Sequence, residues 1–182
     1  MNYLIHFFLV HFLADYPFQP GALVKLKKER YLGVLIHTLI HVLILLVVFF
    51  PLLHFKEIWI AIILVFVTHN IIDQTKITLN KKYPNQTLSL YITDQVIHLA
   101  ILTGIAYYVG NPTTNLTGKW LELYTNQCLL SYLLVLVLVT YFYDVSRYFV
   151  LKKPTPYKRD YRTMMINAMI VSVAYGLYWI FY

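Results

Sequence analysis

Charge is what this sequence has least of: of 182 residues only 13% are Asp, Glu, Lys or Arg, where a soluble domain carries roughly a quarter. Set beside 59% hydrophobic residues and a mean hydropathy of +0.61, the deficit excludes water-soluble enzyme folds and points to a chain solvated mainly by lipid. A single cysteine, Cys128, excludes an internal disulfide and any multi-thiolate metal site, which removes zinc-ribbon and iron–sulfur readings. Acidic residues are scarcer than basic ones, eight against fifteen, but the excess suggests nucleic acid only if it forms one soluble face. It does not, and no phosphate-binding glycine loop or low-complexity tract is present, so no nucleic-acid partner is expected.

What is present is a set of six apolar segments, approximately 3–18, 32–53, 58–79, 88–108, 129–151 and 164–182. Backbone groups in hydrocarbon must be satisfied within the segment, so the expected fold class is an all-α integral membrane protein with six transmembrane helices. The first segment lacks a basic leader and a small-residue cleavage site and is read as a retained helix. Lysines and arginines set the orientation. Thirteen of fifteen fall on the first, third and fifth connections (Lys25 to Arg30, Lys76 to Lys82, Arg147 to Arg162), against Lys56 and Lys119 on the other two. Those three connections are therefore expected in the cytoplasm and both termini outside.

Histidines and aspartates are placed periodically. His11 with Asp15, His37 with His41, His69 with Asp73 and Asp94 with His98 are all spaced i, i+4, one pair in each of the first four segments. That spacing puts both members on one helix face, a turn apart. All eight fall in one layer near the basic ends. The pairs also repeat: 58 residues separate His11 from His69 and Asp15 from Asp73, and 57 separate His37 from Asp94 and His41 from His98. We therefore expect a duplicated helical hairpin, 1–53 and 58–108, its halves related by a pseudo-two-fold axis along the membrane normal. The resulting four-helix core (1–108) is followed by an outer loop (109–128) and two further helices (129–182).

An aspartate at a span centre costs roughly 2.5 to 3.5 kcal/mol to insert, so three aspartates and five imidazoles need a neutralising partner. A divalent metal suits them, and imidazole with carboxylate takes zinc, iron or manganese. Two ions and one hydroxide would balance Asp15, Asp73 and Asp94, so a dinuclear site, zinc first, is expected. A proton relay and a bis-histidine haem are the competing readings. His6 and His54 lie outside the pattern and are read as packing residues. Lys76 and Arg147 are candidate binders of an anionic group, Asp144 orients Arg147 or a ligand imidazole, and Gln19 and Gln95 support the ligands by hydrogen bonds.

The strings HFLADYPFQ (His11 to Gln19), HTLIH (His37 to His41), HNIIDQTK (His69 to Lys76) and DQVIH (Asp94 to His98) resemble the bacterial domain-of-unknown-function family 3307. More loosely they are similar to membrane-bound metal-dependent hydrolases of the YdjM type. The first resemblance implies a bacterial inner-membrane protein with these eight polar positions and assigns no reaction. From the residues, the expected function is a metal-dependent hydrolase of a lipid or lipid-linked phosphoester at the cytoplasmic leaflet, with Asp73, Lys76 and Arg147 in catalysis. A di-iron oxidase or hydroxylase is the alternative within enzymology. A metal transporter, sensor or structural metal-binding subunit is the alternative outside it.

Overall fold

The computed structural model describes residues 3–151 and 157–181; Lys152, Lys153 and Tyr182, which the sequence reading uses for topology and for the last span, lie outside them. No strand occurs among the described residues. Helices α1 (Leu4–Asp15), α2 (Gly21–Glu29), α3 (Tyr31–Val48), α4 (Lys56–Lys82), α5 (Thr87–Val109), α6 (Gly118–Thr125), α7 (Gln127–Val137), α8 (Tyr143–Val150) and α9 (Tyr161–Phe181) carry the chain.

Five rods are long and apolar enough to cross a membrane, which is consistent with a membrane protein: α3, α4, α5 with its preceding turn, the continuous stretch Gln127–Val150, and α9. Their outer faces are apolar and uncovered, as at Leu43, Val47, Ile63 and Ile180. Helix α1 differs from expectation. It has 12 residues, about 18 Å of rise against a hydrocarbon layer of about 30 Å. Pro17 and Pro20 stop it, since neither can donate to a continuing helical ladder.

Two connections read as loops contain helices. The basic stretch after α1 folds as α2 and packs along the start of α3. Gly33 permits this approach: a Cβ there would overlap the backbone of Leu26 and Lys27. At the other end, α5 stops at Gly110, whose φ of +66° suits glycine, and the outer connection forms α6 before Asn126 caps α7 through Leu129 N.

α1 packs on α3, α3 on α4, α4 on α5 and α5 back on α1, closing a four-helix ring. The half of the ring far from the basic connections is apolar, built on Phe7, Val10, Leu45, Phe49, Ile62, Leu102 and Ile105. His6 is buried there, with Nε2 3.1 Å from Tyr124 O and its ring against Tyr3 and Phe49, in keeping with a packing role. Rod α7–α8 lies against α1 through Leu130 and Val137 and contains a π-helical turn at Leu138–Phe142. Helix α9 leans on α7 and on that turn.

Candidate metal centre

The polar half of the ring is assembled from one turn or two of each helix. The end of α1 brings His11 and Asp15, the first half of α3 His37 and His41, the second half of α4 His69 and Asp73, and the first half of α5 Asp94 and His98. All but Asp15 are at most 3% exposed, and Asp15 itself is 12% exposed.

The tightest group is Asp15, His37, His41 and His69. Asp15 Oδ1 is 3.1 Å from His37 Nε2, 3.1 Å from His41 Nε2 and 3.7 Å from His69 Nε2, and the His37 and His69 Nε2 atoms are 3.2 Å apart. Four ligands held about 2.05 Å from one ion at tetrahedral angles stand roughly 3.3 Å from one another. These four separations are close to that spacing and all donors of the group lie within 4.8 Å of one another, so the group could hold a metal ion. His41 Nδ1 donates to His37 O at 3.1 Å, which turns Nε2 into the cluster, where it has no hydrogen-bond partner. Gln19 Nε2 lies 2.8 Å from His37 Nδ1 and 3.1 Å from its Nε2. Such backbone and amide partners are what fix ligand imidazoles in metal sites.

A second group, His69, Asp73 and His98, shares His69 with the first. His98 repeats the device of His41: Nδ1 donates to Asp94 O at 2.9 Å, and the buried Nε2 has no hydrogen-bond partner. His11 stands at the edge, its Nε2 3.7 Å from Asp15 Oδ2 and 3.4 Å from Gln95 Oε1. Asp94 belongs to neither group; Lys76 Nζ donates to its Oδ2 at 2.7 Å and Gln95 Nε2 donates to the same oxygen at 3.1 Å.

The cations differ most from the sequence reading. Lys27, read there only as a topology signal, reaches in from α2 and pairs with Asp73; both side chains are nearly buried. Its distance in sequence from every span leaves no spacing that would have revealed it. Lys76 is engaged by Asp94. Arg147 lies 3.4 Å from Asp160 Oδ2, with both side chains about two-fifths exposed, and does not line the site's cavity. Asp144 orients neither Arg147 nor an imidazole: its Oδ2 accepts from Tyr157 OH at 2.6 Å. Burial first, then that carboxylate, raise the Tyr157 hydroxyl above the usual phenol range, so it remains a donor. Arg159 rather than Arg147 lines the cavity, with Nη2 donating to Tyr16 O at 2.9 Å and the guanidinium over the Tyr141 ring.

A cavity of about 590 Å³ begins at Asp15 and Asp73 and opens toward the basic end. Lys27, Lys28, Lys76, Lys81 and Arg159 line it, facing Tyr141, Val145, Tyr148 and Phe149. On the opposite side of the imidazoles only a void of about 10 Å³ remains, room for one water, closed by Phe7, Val10, Leu45, Val65 and Leu102. The layer thus adjoins a roomy cavity on one side and tight apolar packing on the other.

No curated protein and no solved structure matches the chain significantly, so the looser likeness to YdjM-type hydrolases gains no support. Among known families, the one described as protein of unknown function (DUF3307) matches residues 3–127. That stretch includes the whole four-helix ring and all eight patterned side chains, and the chain belongs to the DUF3307 family.

Proposed function

We propose that this protein is a membrane-embedded, metal-dependent hydrolase of a lipid or lipid-linked phosphoester, working at the cytoplasmic leaflet. The observation that carries the reading is the four-donor group Asp15, His37, His41 and His69, of which Asp15 lines a lysine-lined cavity while the three imidazoles are buried behind it. A conduit for ions would need a polar path through the apolar plug around Phe7 and Leu45, and a purely structural ion would not need the cavity.

The charge balance favours one ion over two. With neutral imidazoles, three aspartates and the ammoniums of Lys27 and Lys76 leave one net negative charge, which one divalent cation and one hydroxide neutralise. The shared His69 also favours filling the four-donor group first. Zinc is the first choice for an N3O shell, and its bound water would have a pKa near neutrality. The Gln19 carboxamide, turned so that its oxygen accepts from His37 Nδ1–H, holds that ring for coordination. Asp73 takes the proton of the attacking water once Lys27 moves from it to the substrate phosphate. The hydroxide left by that transfer adds to phosphorus as the ester P–O bond breaks, and the departing alkoxide takes the proton held by Asp73 and leaves as the alcohol. The same reading puts the basic end in the cytoplasm of a bacterial inner membrane; with α1 counted as a short sixth crossing inside the ring, both chain ends lie outside.

The hairpins α1–α3 and α4–α5 read as duplicates. Two interactions recur at the offset of 57: His41 to His37 O corresponds to His98 to Asp94 O, and Gln19 on His37 corresponds to Lys76 on Asp94. The test is elemental analysis of purified protein with phosphate release from short-chain phosphatidic acid. We expect one zinc, iron or manganese per chain, Asp15→Ala losing metal and turnover together, and Asp73→Asn keeping metal without turnover. Full turnover by metal-free protein, or by Asp73→Asn, would overturn the proposal.

A further inference from the structure

The residues that face the cavity lysines come from outside the matched family stretch. Val145, Tyr148 and Phe149 on α8 form an apolar and aromatic wall, whereas Lys27, Lys28, Lys76 and Lys81 come from α2 and α4. α8 is held in place by contacts independent of any ligand. Phe149 stacks on Tyr91 with ring centroids 4.6 Å apart, and the Tyr91 hydroxyl bridges Ser146 Oγ at 3.1 Å and Tyr16 OH at 2.8 Å. The wall is therefore preorganised.

Two further features define what fits. Lys27 and Lys76 already have carboxylate partners, but no carboxylate pairs with Lys28 or Lys81 at the mouth among the described residues. Two unmatched ammoniums suit a phosphomonoester, which carries about −1.5 to −2 at neutral pH. The cavity, about 590 Å³, is within the range of pockets that enclose a whole small molecule, far more than a phosphate alone needs. From this juxtaposition we infer that the ligand is an amphiphilic monophosphate, its head on the lysines and the first units of its hydrocarbon chain against α8, so that the C-terminal hairpin selects lipid phosphates over free phosphate. The inference rests on the hydrolase reading for the chemistry done there, but its own content is a binding preference and is measured without turnover.

Octylphosphonate and methylphosphonate share a head group and differ in tail, and neither has an ester bond to cleave. Calorimetry on the full-length, metal-loaded protein in detergent, corrected for partition into empty micelles, should show octylphosphonate binding at least tenfold more tightly. Tyr148→Ala and Phe149→Ala should each cut that preference to threefold or less and leave methylphosphonate affinity unchanged. Phe149→Leu, which keeps an apolar side chain, should retain it, and Lys81→Met should weaken both ligands. Equal affinities in the unmodified protein would mean a free-phosphate site, and an undiminished preference in both alanine variants would place the tail elsewhere; either result overturns the inference. If the hydrolase reading alone fails, the chain preference persists with no phosphoester turned over. If the inference alone fails, turnover persists without dependence on chain length.

Discussion

Replacing Lys27 by methionine removes the ammonium from a pair whose side chains are 12% and 5% exposed. Deleting one partner of a buried pair costs about 3 to 5 kcal/mol, because the other charge stays desolvated. The Lys76 ammonium still acts on Asp73 after Lys27 is gone, so the lower part of that range applies. Asp73→Asn strands Lys27 in turn and should lose a similar amount. The double variant has neither charge and should lose about 1 to 2 kcal/mol, far less than the two single losses together. Unfolding in mixed micelles with a chelator present reads these values on the ion-free protein. Equal and additive losses would refute the pairing. Metal content supplies a second readout: His69 Nε2 can serve one ion only, so Lys27→Met should still bind one ion per chain, and two would refute the idea that the two groups compete for His69.

Gly33→Ala should lower stability by about 1 to 3 kcal/mol, since α2 must retreat from α3 to admit the methyl group, and should weaken Lys27 and Asp73 coupling in the same cycle; an undisturbed thermal midpoint would contradict the close approach. Arg147→Ala should change stability by less than about 1 kcal/mol, as expected of an exposed pair. Arg159→Ala, which releases the Tyr16 and Gln19 carbonyls and the Tyr141 ring, should lower both stability and phosphonate affinity, and the reverse ranking would put the sequence reading of Arg147 back in place.

The four histidine and aspartate pairs were legible because a 3.6-residue period and a shared depth are enough to bring eight side chains into one layer, and they do meet there. The cations were not. Lys27 and Arg159 arrive from connections, whose paths no periodicity describes, and Lys27 depends on the absence of one Cβ at Gly33. Charge balance taken from the three aspartates alone, without Lys27 or Lys76, consequently made two ions the default. The early end of α1 was written in Pro17, but the apolar run through Phe18 outweighed it in the sequence reading. Arg147 was named for its depth on span five alone, and depth does not say which way a side chain faces; it pairs with Asp160 and does not line the cavity.

The π-helical turn at Leu138–Phe142 gives the fifth rod two jobs. One surplus residue in the coil swings all later side chains by about 100° relative to earlier ones. Leu130 and Val137 meet α1, while Tyr141, Val145 and Tyr148 look into the chamber beneath the aspartates. Excising a single residue there, Thr140 for instance, would restore regular winding. It would leave the upper seam intact and aim the lower aromatic side chains at neighbouring acyl chains, changing what the chamber admits while every metal-facing residue stayed in place.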